Sequence, residues 1–211
     1  MKEYLKINRN KFPLFLKRIF DILISGIALI ILLPIFGLIG IFIKLDSKGP
    51  IFFRQKRAGK DGKTFEAFKL RTMVINAEKI GLGYEIEKND ARITRVGKYL
   101  RWGIDELPQL INVFRGEMGL VGPRPALPHQ VEKYPKRDRR RLEVKPGITG
   151  LALVNGRNAL SWSERIKLDI WYIDHWSFWL DFKILFKTFW MVVFTREGMY
   201  GKGGINRDYG K

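Results

Sequence analysis

From Ile22 to Ile43 the chain carries no charged residue. That length matches the roughly 20 apolar residues that cross a hydrocarbon core of about 30 Å, so residues 14–46 are expected to be embedded in a membrane. No small-residue cleavage site follows the run, which argues against a secretory leader. Pro34 sits near its middle, where a proline removes a backbone hydrogen bond and crowds the preceding turn. Lys17 and Arg18 precede the run, while Lys44, Lys48, Arg54, Lys56 and Arg57 follow it. With both flanks positive, the positive-inside tendency favours neither orientation of a spanning helix. A helix-break-helix that enters and returns on one face satisfies both flanks, each half reaching roughly 17 Å, or half the core. A spanning helix kinked at the proline is compatible with the same pattern.

Past the apolar run the period changes. In "GPIFFRQKRAGKDGKTFEAFKLRTM" an apolar stretch at 51–53, a Gly/Asp/Lys turn at 59–63 and alternation through Phe65, Ala67 and Leu70 predict a β-hairpin. "INAEKIGLGYEIEKND" reads as a helix end followed by a surface loop, and its "GLGYEI" lacks the full dinucleotide-binding glycine pattern and any βαβ context. "ITRVGKYLRWG" and "DELPQLINVFRG" have helical spacing. "GPRPALP", "KPGITG" and "VNGRN" are loops closely flanked by apolar helices rather than linkers.

A last helical region runs from about Ser163 to Phe194. In its "FWLDFKILFKTFWMVVF", Lys183 and Lys187 share a stripe, aromatic and aliphatic residues fill most of the rest, and Asp181 falls off the pattern. Such a helix fits the headgroup plane of a bilayer, and it equally fits a buried core. The expected organisation is a basic tail at 1–13, the membrane segment at 14–46, one domain at 47–197 and a glycine-rich flexible tail at 198–211. The fold class is α+β, mostly helical, with no internal repeats.

Composition narrows the partners. Among 211 residues, 39 Lys and Arg face 21 Asp and Glu, a formal net charge of +18, so the partner is expected to be anionic: nucleic acid, a phospholipid surface or a phosphorylated substrate. The absence of cysteine excludes disulfide frameworks, thiolate catalysis and cysteine-bound zinc. His129 and His175 are the only imidazoles and no "HExxH" occurs, so no zinc site is expected.

Against this basic background, "WGIDELPQLINVF" sets Asp105 beside Glu106. Proline is tolerated in a helix's first turn, so Pro108 puts Asp105 at or near the N-cap and Glu106 just inside. Free N–H groups there stabilise an ionised carboxylate and attract phosphate, which would keep Asp105 anionic as a nucleophile or Mg²⁺ ligand. Neighbours on a regular helix diverge by about 100°, so the two acids address one centre only if the chain is non-helical at Asp105. Alone, the pair is equally a cap and a dipole partner. Arg124, between two prolines, and Arg157, after an Asn-Gly turn, supply guanidinium forks on stiff loops suited to phosphate, and Lys69 and Arg71 close the hairpin strand. Singly, each could be a solvated surface charge.

The ordered set "KRIFDILISGIALIILLP", "GPIFFRQKRAGKDGKTFEAFKLRTM", "ARITRVGKYLR", "DELPQLINVFRGEMGLVGPRP", "VKPGITGLALVNGR" and "LDIWYIDHWSFWLDFKILFKT" resembles the small monotopic phosphoglycosyl transferases of the bacterial sugar transferase family, over about residues 14–194. The resemblance implies a re-entrant membrane helix broken at Pro34 and anchored by Lys17 and Arg18. It implies a catalytic domain on the cytoplasmic face of the bacterial inner membrane, with interfacial helices. It further implies Mg²⁺-dependent transfer of a sugar 1-phosphate, preferably of an N-acetylated hexosamine, from a UDP-sugar to polyprenyl (undecaprenyl) phosphate. Asp105 would be the nucleophile and a metal ligand, Glu106 would assist proton transfer, and Arg124, Arg157, Lys69 and Arg71 would contact phosphate or nucleotide. "RWGIDE" is one residue shorter than the family's usual link, so Arg101 receives no role. A non-catalytic basic protein bound to membrane or nucleic acid would explain the charge and the apolar segments but not the acidic pair. Nucleic acid is therefore not an expected partner.

Overall fold

The apolar run forms α1 (Lys11–Asp46), with Pro34 inside the helix. In the computed structural model, which describes residues 11–80 and 90–195, one element passes through the proline, and the helix break expected there is not seen. A single lost backbone bond is tolerated when packing holds both sides of it. α1 buries one stripe along its length: Asp21, Ser25, Phe36 and Ile43 are buried, and Leu29, Leu32 and Ile39 pack between them. That spacing of three or four residues is the inner face of a helix laid against a domain. The opposite face is apolar and open, with Ile30 76% and Leu45 79% exposed.

Both ends of α1 are tied to the same domain. Near its start, Arg18 donates to the Val113 carbonyl (2.6 Å) and the Phe114 carbonyl (2.9 Å). Just past its end, Arg71 donates to the carbonyls of Ser47 (2.6 Å), Ile43 (3.3 Å) and Lys48, which satisfies acceptors that a helix C-terminus leaves open.

The hairpin forms as its pattern predicts. β1 (Phe52–Ala58) pairs antiparallel with β2 (Thr64–Leu70), from Phe52 opposite Leu70 to Ala58 opposite Thr64. Asp61 and Gly62 take left-handed conformations (φ 56° and 77°) in the turn, the role to which their chemistry suits them. Residues 81–89 of the expected surface loop lie outside the described residues. α2 (Arg95–Leu100) is capped by Thr94, whose hydroxyl accepts from the Gly97 amide at 3.0 Å. A 3-10 turn (Ile104–Gln109) leads into α3 (Leu110–Arg115), which Gly116 ends in a left-handed conformation.

The segment 145–150, expected as a loop, carries a short strand, β4 (Gly147–Thr149), parallel to β3 (Gly119–Val121), with α4 (Pro128–Glu132) between them in sequence. Their approach requires glycine: a Cβ on Gly147 would stand 2.1 Å from the Gly122 amide nitrogen. α5 (Leu151–Val154) follows. The last helical region is two helices, α6 (Trp162–Asp174) and α7 (Phe178–Trp190), closed by a π turn at Met191–Thr195. Ser161 and Ser177 cap their N-termini.

Asp181, off the apolar stripe in sequence, faces inward. It accepts from the Tyr172 hydroxyl (2.6 Å) and the Trp176 indole (3.1 Å), and it pairs with Lys17 of α1. Trp179, Phe182, Phe186 and Phe189 of α7 are exposed, so this helix is not the buried core alternative. The main core packs Leu110, Val113, Met118 and Val121 against Tyr172, Ile173 and Ile184, and a second cluster joins Phe36 and Ile43 of α1 to Leu70 and Leu100. The architecture is α+β and mostly helical. The expected tail at 198–211 and the first ten residues of the basic tail lie outside the described residues.

Candidate active site

Asn112 joins β2 to α3 and thereby brings Lys69 to the acidic pair. Fully buried, its amide oxygen accepts from the Phe68 amide (3.0 Å), and its nitrogen donates to the Glu66 carbonyl and the Glu117 carboxylate (both 2.7 Å). A buried amide satisfied on both ends fixes the register of strand against helix. Lys69 Nζ then lies 2.8 Å from Glu106 Oε1. From the loop after β3, Arg124 sets a fork on the same carboxylate, Nη1 to Oε2 at 3.0 Å and Nη2 to Oε1 at 2.7 Å.

That loop is itself held. Arg57 donates to the Pro125 carbonyl and Arg141 to the Arg124 carbonyl, each at 3.0 Å. Arg141 is buried and also bonds Asp169 Oδ2 (2.6 Å) and the Tyr134 hydroxyl (2.7 Å). Sequence spacing gave no sign of Arg57, Arg141 or Asp169, because their partners lie on other elements.

Asp105 differs from its neighbour. Among the described residues its carboxylate makes no hydrogen bond or ion pair, although Lys69, Arg101 and Arg124 all act on its charge. It is the second residue of the 3-10 turn, whose N-cap is Gly103 (φ 116°), so it lies near the cap, in the first turn. Only glycine adopts that φ at no steric cost, and it moves the start of the turn one step ahead of Asp105.

The electrostatics separate the two acids. Burial and then the Glu106 charge push the Asp105 carboxyl up to about 6, against the pull of Lys69, Arg101 and Arg124. For Glu106 burial acts in the same direction, but the Arg124 and Lys69 charges and hydrogen bonds outweigh it and hold the carboxyl well below the usual range. Asp105 was expected to be anionic through helix N-terminal N–H groups. Instead its pKa is raised by burial to about 6, which leaves the anion the main form at neutral pH.

Arg157 follows Gly156 in a left-handed conformation (φ 52°), and its charge acts on Glu106, Arg124, Asp105 and Arg101, with burial lowering its own pKa. Among the described residues its guanidinium makes no hydrogen bond, and the buried Nε of Arg101 has no partner either. Lys69, Arg101, Arg124 and Arg157 thus surround two carboxylates and leave a positive surplus for an anion. Arg71 is elsewhere: β2 ends at Leu70, and Arg71 turns to the end of α1. An apolar cleft opens on Glu106 and Arg157, and a smaller one, which shares Arg157 and Leu153 with it, reaches Arg124, Arg141, Arg165 and Asp169. No group of three or more carboxylates and imidazoles stands ready for a metal among the described residues.

A carboxylate without a hydrogen-bond partner among the described residues thus stands within a surplus of cations, on a chain whose α1 and α7 carry exposed apolar faces. Residues 12–195 match the bacterial sugar transferase family, and the chain belongs to it. It is 45% identical over 178 residues to an uncharacterized sugar transferase, EpsL, of Bacillus subtilis, covering 82% of this chain and 85% of that protein. It is 43% identical over 190 residues to the UDP-glucose:undecaprenyl-phosphate glucose-1-phosphate transferase of Klebsiella pneumoniae, covering 85% of this chain. It is 40% identical over 201 residues to the undecaprenyl-phosphate galactose phosphotransferase of Salmonella typhimurium, covering 88% of this chain. The chain spans 40% and 42% of the length of the last two.

Proposed function

We propose that this chain transfers a sugar 1-phosphate from a UDP-sugar to polyprenyl phosphate, releasing UMP, as the first step of a membrane-linked glycan. The observation that carries the reading is the Asp105 carboxylate, free of partners and surrounded by cations while its neighbour is tied. An oxygen of Asp105 attacks the phosphorus that bears the sugar. The bond from that phosphorus to the bridging oxygen breaks, and UMP leaves with the oxygen. The sugar phosphate is then an acyl phosphate on Asp105. An oxygen of the lipid phosphate attacks the same phosphorus, the carboxylate is released, and the product is a polyprenyl diphosphate sugar.

Raising the Asp105 pKa makes its anion more basic and so a stronger nucleophile, while most of it stays ionised at neutral pH. Glu106, held low, is a weak base until substrate phosphates compete for Arg124 and Lys69. Released from them, it takes the proton that a lipid phosphate monoester still carries near its second pKa of about 6. Arg101 and Arg157 hold the diphosphate. A single hard carboxylate beside a diphosphate fits Mg²⁺, which binds through one or two carboxylates plus substrate oxygens and would neutralise the diphosphate there, with Asp105 the protein ligand.

The chain is read as monotopic, on the cytoplasmic face of the inner membrane. The support is that both ends of α1 are fastened to one domain while its outer face and that of α7 stay apolar, as for a re-entrant or surface-lying helix. Relatives are named for glucose and galactose transfer, and the N-acetylated hexosamine expected from the resemblance joins them in the test. That test is UMP release by purified protein in detergent with undecaprenyl phosphate, Mg²⁺ and a panel of UDP-sugars. Release with at least one donor is expected; none with any donor overturns the reading.

A further inference from the structure

We propose that the apolar cleft beside Glu106 and Arg157 seats the phosphate-bearing end of the lipid acceptor and the start of its hydrocarbon chain. The inference rests on the reading of polyprenyl phosphate as acceptor and deepens it by assigning the residues. The cleft lies between the 3-10 turn of the acidic pair, β4 and α5 on one side and the π turn after α7 on the other. Ile104, Leu107, Ile148, Leu153, Met191 and Val192 supply its apolar walls.

Two hydroxyls reach the cleft, and both have their protons committed inside the protein. Thr149 and Thr188 hydrogen-bond each other at 2.6 Å, and the Thr188 hydroxyl also bonds the Ile184 carbonyl at 2.7 Å. A sugar ring needs a partner for each of its hydroxyls and would find few on these mostly apolar walls, a costly arrangement. Hydrocarbon is therefore the occupant the lining suits.

Charge and size agree. Arg157 and Glu106 form the polar part of the cleft, and the Arg157 guanidinium has no hydrogen bond among the described residues, so a phosphate drawn there leaves its alkyl chain among the apolar walls. The volume is about 150 Å³. That is a small part of a long lipid, so only the start of the chain next to the phosphate fits inside. The rest of the chain lies outside, and the route is apolar: Val192 belongs to the turn whose Val193 and Phe194 are exposed, in line with Phe189 and Trp190 of α7. A lipid sliding along that face reaches Arg157 with its chain still among apolar side chains.

The test uses the full-length protein in detergent with undecaprenyl phosphate and its preferred UDP-sugar. Val192→Trp places an indole in the mouth of the cleft from a position 46% exposed, where folding tolerates it, and the equally exposed Val193→Trp lines no part of the cleft and is the control. Val192→Trp is expected to raise the acceptor KM about tenfold, with the donor KM within about twofold, while Val193→Trp moves neither beyond about twofold. A one-isoprene alkyl phosphate is expected to compete with the lipid acceptor in the wild type and to lose that effect in Val192→Trp. Wild-type turnover with Val192→Trp and Val193→Trp indistinguishable, or with both KM values raised together by Val192→Trp, overturns the cleft assignment alone. A wild type that releases no UMP with any donor overturns the reading beneath it as well.

Discussion

Arg124 offers a graded perturbation of the acidic pair. Its two bonds to Glu106 form a planar fork, and its backbone is fixed by Arg141 and Arg57, so a shortened side chain cannot be rescued by a shift of the loop. A hydrogen bond to a charged group contributes about 1.5–3 kcal/mol in a buried setting. The Arg124 side chain is 41% exposed, so water replaces part of what is lost. Arg124→Lys keeps the charge and one donor, which sets the cost at about 1 kcal/mol, or about fivefold in rate. Arg124→Ala removes both bonds and the charge, and Glu106, 11% exposed, is left with Lys69 alone. A loss of about 2–3 kcal/mol, roughly 30–150-fold, follows. The assay is single-turnover transfer of the sugar phosphate to undecaprenyl phosphate, with thermal midpoints checked to lie near the wild type. An alanine variant within about threefold of the wild type, or a lysine variant no better than alanine, refutes the fork as the device that holds Glu106.

The remaining expectations concern proton, core and topology. Because the Asp105 pKa is raised to about 6, its nucleophilic form is lost as pH falls; donor kcat/KM should be near its plateau at pH 7 and about tenfold lower at pH 5. UMP release in the donor half-reaction measures this apart from the lipid phosphate, which titrates in the same range, and a flat profile to pH 5 contradicts it. Arg141→Met strands the buried Asp169 and should destabilise by about 3–5 kcal/mol, with Arg141→Met/Asp169→Asn recovering a large part. Simple addition of the two single effects in detergent unfolding contradicts that coupling. As the chain has no cysteine, single cysteines at Leu14 and Lys48 report topology directly. Both should be protected from a periplasmic thiol reagent, and labelling of one alone marks a spanning helix.

Much of the fold was legible wherever one local rule decided the outcome. The Gly/Asp turn and the alternation after it specified the hairpin, because register follows from turn chemistry and from which face is buried. The acidic pair stood out for its charge contrast with the chain around it. Errors arose where distant contacts decide. The start of the 3-10 turn, which Pro108 places only to within a residue or two, depends on a left-handed Gly103. Lys69 and Arg71 looked equivalent at a strand end, yet one meets Glu106 and the other the end of α1, because β2 ends between them. β3 and β4 are three residues each, too short for a hydrophobic period, and their glycines read as loop signals although they serve close backbone approach. The division into α6 and α7 could have been read from "HWSF", where Ser177 has the chemistry of an N-cap.

The central claim is that Asp105 carries the sugar phosphate between donor and acceptor. Enzyme mixed with its preferred UDP-sugar and Mg²⁺, without lipid, should release UMP up to one equivalent, and mass spectrometry of its peptides should find a sugar phosphate on the one containing Asp105. The adduct should be absent in Asp105→Asn and should discharge when undecaprenyl phosphate is added. UMP that appears only with acceptor present, with residue 105 never modified, would contradict the account.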